Sequence, residues 1–311
     1  MGDDQRQALG PEMVAGRRLG HAGHVTAWDQ NSLPLYGCLT GIDLPMDRLT
    51  VAPGIVLRKV FVDMFGASML AFSPPPTKKA AHPAPWVAVK GGFSFESRAE
   101  LAVSESSALG GLSPTVVAWL VAAVLRLQMR TPVRLAVVGN IPFDRMGSEW
   151  QNASPYPFEG APQQIGLFNA WREVATADDL VWLVDMLPIA VRLYHDERFF
   201  RAISVYNQAQ WSPTLEMGVV LLWSALETLF GLGGEREKTK ALSRAVSGYV
   251  ATDRSDRDRA YQVVRDLYAK RGKVVHAGAK LDVNDVIQSF QFGRVCFRRV
   301  LIEGVLPASP Q

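Results

Sequence analysis

The chain has 311 residues, 48% hydrophobic and 20% charged, with a formal net charge of +3. That composition supplies a packed core, excludes a chain disordered throughout, and by length fits two domains. Two cysteines, Cys38 and Cys296, make neither a disulfide framework nor a zinc spacing, and a net charge this small does not by itself argue for nucleic acid.

The charge is unevenly spread. Residues 1–196 carry 16 Lys/Arg against 18 Asp/Glu, whereas residues 197–311 carry 17 against 12. A basic C-terminal part admits a polyanionic partner, although a solvated basic face gives the same count. The first residues hold acids and no apolar core, unlike a secretory signal. The longest apolar runs, Val116 to Leu125 and Met217 to Leu226, are too short to cross a bilayer. The expectation is a cytoplasmic protein with no membrane contact.

In chain order, residues 1–25 read as a Gly-rich polar arm. Short β-like segments follow, with strands at Gly54–Val62 and Trp86–Lys90 separated by a proline-rich loop from Ser73 to Pro85. Ser113-Pro114 has the form of an N-cap with proline at N1, opening a helix to about Arg130. Leu135–Val138 reads as a strand and residues 139–165 as a long loop. Thr176 with Asp178 and Asp179 starts a helix that Pro188 should kink or split. Helices are then expected at 197–210, from Ser212-Pro213 to near Gly231, and at about 235–250, 255–277 and 283–304. The fold class expected is α+β: a mixed α/β region with short strands over 1–175, of unknown role, then a helical bundle over 176–311.

Two of these helices carry an anomaly. From Pro213 onward, Leu215, Val219, Leu222, Leu226 and Leu229 form an apolar stripe, and Val220, Trp223 and Phe230 form a second apolar face. Glu227 falls within that second face, where a carboxylate is costly unless paired. It is either an edge glutamate held by any nearby cation or a group that orients Arg271 or His276. In the helix from about Ser255 the stripe is Ala260, Val264, Leu267, Arg271 and Val274, so an arginine takes an apolar position and needs an anion nearby. That anion is Glu227, another acid, or a ligand. His276 lies five residues on, about 140° around an ideal helix, so one helix does not set the two side chains together. Either the helix unwinds near Gly278 or a second copy of the chain completes the arrangement. A histidine in a last turn faces the negative end of the helix dipole, which suits a proton donor. Gly272, Ala269 and Ala277 leave room for another helix to approach.

An ordered set of segments in this region resembles the Apea-like branch of the HEPN superfamily, over about 196–305. The set comprises Arg201–Tyr206 as an opening helix, Leu222–Phe230 with its Ala-Leu-Glu pattern, and Leu267-Tyr268 followed by Arg271 through His276. The resemblance implies a helical bundle that forms a homodimer and brings two Arg–His motifs to a shared cleft. Many members are endoribonucleases that use no metal and no cofactor, in antiviral defence, toxin–antitoxin or RNA-processing systems. Others are inactive modules that bind RNA or a partner protein. Carried over, Arg271 and His276 are the catalytic pair, with Glu227 beside them. Arg294, Arg298 and Arg299 give the last helix a basic edge that either follows an RNA backbone or is a solvated face, so the candidate RNA contacts are Lys270, Lys273, Arg294 and Arg298; a regulatory or antitoxin protein is a further partner the resemblance allows. Gly272 stands where active members often carry a polar residue, which favours the inactive alternative.

Other motifs carry less. His21 and His24 lack the acid or cysteine partners of a metal site. Gly231-Leu232-Gly233-Gly234 lacks the Gly-Lys-Ser/Thr of a phosphate loop and reads as a helix stop. The alternating Asp and Arg of residues 253–259 read as a solvated helix start.

Overall fold

The computed structural model describes residues 29, 31–65, 69–71, 86–88, 94–105, 110–129, 131–160, 173–232 and 237–308. The architecture is α+β. Strands β1 (Leu35–Thr40), β2 (Ile42–Asp43), β3 (Arg48–Ala52), β4 (Ile55–Phe65), β5 (Met69–Ala71), β6 (Trp86–Ala88) and β7 (Ser94–Val103) come first. Helix α1 (Pro114–Gln128), β8 (Arg134–Gly139), β9 (Tyr156–Pro157) and β10 (Glu173–Val174) follow. Then come α2 (Ala177–Leu193), α3 (Glu197–Gln210), α4 (Leu215–Leu229), α5 (Lys238–Val250), α6 (Arg254–Ala277) and α7 (Val283–Glu303).

The main sheet has the order β3-β4-β7-β1-β8-β9 with antiparallel neighbours throughout. Alternation along β7 sends Ala99, Leu101 and Val103 into the main core and Glu100 to the opposite face. There Arg58, its register partner on β4, meets Glu100 at 2.6 Å. Phe143 N donates to the second Glu100 oxygen at 2.7 Å, and Arg58 forks onto Asp144 at 2.7 and 2.8 Å. A fully buried carboxylate is thus satisfied, and the segment after β8 is tied down over a small cluster of Cys38, Ala136, Val137 and Phe143. That segment is not all loop: β9 pairs with β8, Val138 opposite Tyr156, because the chain returns along an open sheet edge.

Helix α1 is apolar nearly all round because it is covered twice, by β1, β7 and β8 on one side and by α2 and α7 on the other. Ser113 caps it, its Oγ accepting from Val116 N, with Pro114 at its start. One cluster of buried side chains runs from Leu35 in β1 to Leu301 in α7, so sheet and helices share a core. Among the described residues no helix is long and apolar enough to cross a membrane.

The expected helix starts are met with two differences. Thr176 forms a complete capping box with Asp179, each side chain accepting from the other's backbone N–H. Pro188 does not split α2, which runs unbroken to Leu193. Its inner residues Leu183, Leu187, Ala190 and Val191 are buried, and that packing outweighs one missing backbone hydrogen bond. The cap of α4 is Thr214 rather than Ser212, whose hydroxyl is turned inward to donate to Gln208 O. The polar arm and proline loop, together with His21, His24 and Trp171, lie outside the described residues.

Helix α4 is central, touching α3, α6 and α7, with Leu222, Trp223, Leu226 and Leu229 fully buried. Helix α7 packs closely at Gly293, where an added Cβ meets Leu222 Cδ1 of α4 at 2.6 Å and Tyr206 Cε2 of α3 at 2.9 Å. Gly293→Ala is therefore expected to destabilise the fold by about 1–3 kcal/mol through overpacking, read as a lower midpoint in urea.

Candidate active site

The site is built on α4 and α6. Helix α6 opens at Asp253, whose side chain accepts from Asp256 N, and its first turns are exposed. It closes at Gly278 with φ +60°, a left-handed cap that ends it without unwinding the turn before. His276 is therefore helical, and of the two alternatives the helix does not unwind within this chain.

Arg271 sits on the inner stripe of α6, its side chain 20% exposed, and faces α4. Its Nη2 donates to Ser224 Oγ at 3.3 Å and lies 3.6 Å from Glu227 Oε1. Glu227 also accepts from the Tyr268 hydroxyl at 2.7 Å, and the Arg271 guanidinium lies over the Tyr268 ring, 5.6 Å from its centre. Burial, then the hydrogen bond to Glu227, raises the Tyr268 phenol above its usual range, so at neutral pH the hydroxyl keeps its proton and stays a donor. The anion that the sequence required for Arg271 is thus Glu227. Both polar contacts of Arg271 run through Nη2, and its Nε is buried without a partner among the described residues.

His276 is exposed at the end of α6. The two residues nevertheless line one cleft of about 590 Å³, with Tyr268, Ala269 and Gly272 of α6 and the first turn of α5. The helix alone separates them by about 7.5 Å of rise; what joins them is the cleft that both line together with the first turn of α5. Glu227 is not part of the lining and touches a lining residue, Arg271, from behind. A Cβ at Gly272 meets nothing within 4 Å among the described residues, so no described neighbour requires a glycine there. Its missing side chain leaves the cleft wall open.

The four candidate RNA contacts divide. Lys273 is exposed next to the pair. Lys270 reaches Asp285 of α7 at 2.7 Å and ties α6 to α7. Arg294 and Arg298 are not an open basic edge. Arg294 Nε donates to Leu127 O at 2.7 Å and Arg298 Nη1 to the same oxygen at 3.3 Å, and both also reach Gln128. Arg298 further packs 4.2 Å above the Trp182 ring. The last carbonyls of α1 have no partner within their own helix, and these two arginines supply it. Their role is to join α7 to α1, away from the cleft.

Sequence reasoning missed two features. The α5 wall contributes Lys238 and Lys240, which read only as part of a helix. Arg126 is buried at 1% exposure against Glu159 at 9%, with both carboxylate oxygens at 2.6 Å. It also donates to Val133 O and Asn207 Oδ1, each at 2.5 Å. No group of three or more His, Cys, Asp or Glu able to hold a metal ion occurs among the described residues. Comparison of the chain with family models, curated proteins and solved structures gave no match.

Proposed function

We propose that the protein is an endoribonuclease that cleaves RNA by internal transesterification at the Arg271–His276 cleft. The observation that supports this best is the pairing, on one open cleft, of a guanidinium held from behind by Glu227 and Ser224 with an exposed histidine. In the reaction the RNA 2′-oxygen bonds to the adjacent phosphorus and the bond from phosphorus to the 5′-oxygen breaks. The proton leaves the 2′-hydroxyl and one is delivered to the departing 5′-oxygen, which is the work of histidine. Arg271 stabilises the charge that builds on the phosphoryl oxygens, a task that suits a forked, permanently charged side chain fixed in place. The nucleophile belongs to the substrate, so the chemistry needs no activated water, and DNA is not cut.

One exposed histidine handles the two proton transfers in sequence, or a second copy of the chain brings its own. The resemblance to HEPN proteins favours a homodimer with both motifs at a shared cleft, regulated by a partner protein or used in defence. The test is RNA cleavage by the purified chain in EDTA. Products ending in 2′,3′-cyclic phosphate are expected. A folded protein that leaves every RNA intact overturns the reading. The second reading, a non-cleaving module that binds RNA or a protein, is favoured by Gly272 and by the Glu227 contact that partly neutralises Arg271.

A further inference from the structure

Strand β4 has one edge that is only half covered. Its register with β3 runs from Ile55 opposite Ala52 to Arg58 opposite Arg48, and Lys59 N donates to Asp47 O at 2.8 Å just beyond. On the other side β7 pairs with β4 as far as Phe65 opposite Ser94. Among the described residues, Val60 to Phe65 therefore have a neighbouring strand on one side alone. In an antiparallel sheet alternate residues turn their N–H and C=O groups to either side. This stretch, about 20 Å long, thus offers a row of backbone donors and acceptors with no strand to meet them.

A second feature marks the same place. Between Lys59 opposite Ala99 and Val62 opposite Ser97, two residues, Val60 and Phe61, face the single Arg98. Such a bulge bends its strand and re-aims the side chains beside it. Val60, Phe61 and Arg98 all line a cleft of about 740 Å³, to which Leu44 and Pro45 before β3 and Val174 of β10 add an apolar wall. Phe61 is 67% exposed and Val174 58%. The charges at the cleft divide. Arg98 is held by Glu96 at 2.5 Å and by Asp43 at 3.8 Å. Lys59 and Asp47, which also line it, make no ion pair among the described residues.

We infer that the β4 edge from Val60 to Phe65 is a docking site for an extended peptide segment of a partner protein, which adds to the sheet as a strand continuing the line of β3 and seats an apolar side chain beside Phe61. A small molecule answers the cleft, but only a strand answers the backbone edge as well. Backbone hydrogen bonds supply affinity and the cleft selects sequence. An acid on the peptide meets Lys59 and a base meets Asp47. The bulge and the lysine make the edge selective, since a flat, uncharged edge pairs with any strand. The site stands independently of the nuclease reading.

The test is selection on the full chain from a library of random dodecapeptides displayed on phage, then anisotropy with the selected peptide carrying a fluorophore. Selected peptides are expected to alternate apolar and polar residues and to carry an acid. N-methylation of one set of alternate peptide amides should weaken binding about tenfold or more, and of the other set leave it unchanged, because only one set faces β4. Phe61→Ala should weaken binding about tenfold. Lys59→Glu should weaken it and favour a peptide whose acid is replaced by lysine. Both variants are checked for folding by circular dichroism, and hydrogen exchange of residues 60–65 should slow when the peptide is bound. No selected peptide, or binding indifferent to N-methylation and to both variants, overturns the proposal. Slow exchange at 60–65 in the free chain that quickens on dilution places a second copy on the edge and overturns it too.

Discussion

His276→Ala is expected to lower RNA cleavage by about a hundred- to ten-thousand-fold, the usual worth of a positioned proton carrier, while leaving the melting midpoint where it is. The second half follows from exposure: His276 lies on the surface at the end of α6, so its truncation opens no cavity. Arg271→Ala should cost activity on a similar scale and also stability. It leaves Glu227, 15% exposed, with the Tyr268 hydroxyl at 2.7 Å but without its cation. Arg271→Lys keeps the charge and loses the fork, so it should restore the midpoint better than the rate. The measurement is single-turnover cleavage beside thermal unfolding for each variant. Cleavage by His276→Ala at the wild-type rate ends the catalytic assignment.

Arg126→Ala is expected to destabilise the fold by about 3–5 kcal/mol, because it strands a buried carboxylate. Glu159 loses a bidentate partner, Asn207 Oδ1 loses a donor, and the Val133 carbonyl loses another, all in one interior. Glu159→Ala should cost a similar amount, since Arg126 is then charged, 1% exposed and short of its anion. Removing both charges together, as in Arg126→Met with Glu159→Leu, should recover only part of the loss. Leu135 N, which donates to Glu159 at 2.7 Å, and Asn207 Oδ1 lose these partners in the double variant. Urea unfolding followed by tryptophan fluorescence measures all three, and adding Arg126→Ala/Glu159→Ala closes the cycle that gives the coupling energy. A single variant within 1 kcal/mol of wild type shows that water replaces the missing partner.

The helices were legible where a buried stripe meets a start or stop signal in the local sequence. Thr176 with Asp179, Asp196 before α3, and Gly278 after α6 are local signals, and local signals need no knowledge of the fold. The anomaly at Arg271 was legible for the same reason: its spacing puts a cation on an apolar stripe. Residues 139–165 read as loop because a two-residue strand such as β9 has no periodicity, and only the open edge of β8 makes it one. Arg294 and Arg298 read as a basic edge because sequence shows the face of a helix but not what covers it. Here the end of α1, 166 to 171 residues away, covers it. The Arg126 pair was invisible for the converse reason, since Glu159 and Asn207 lie 33 and 81 residues on.

By itself the sequence determined the α+β composition, the helix limits and the two residue types at the cleft, all of which depend on short-range periodicity and capping. Only the tertiary structure decided which cation faces which anion. It set Glu227 behind Arg271, turned two arginines inward onto α1, and brought Lys238 and Lys240 into one cleft with His276. Charge pairing depends on distance through space, and a spacing along one helix fixes that distance only for partners on the same helix.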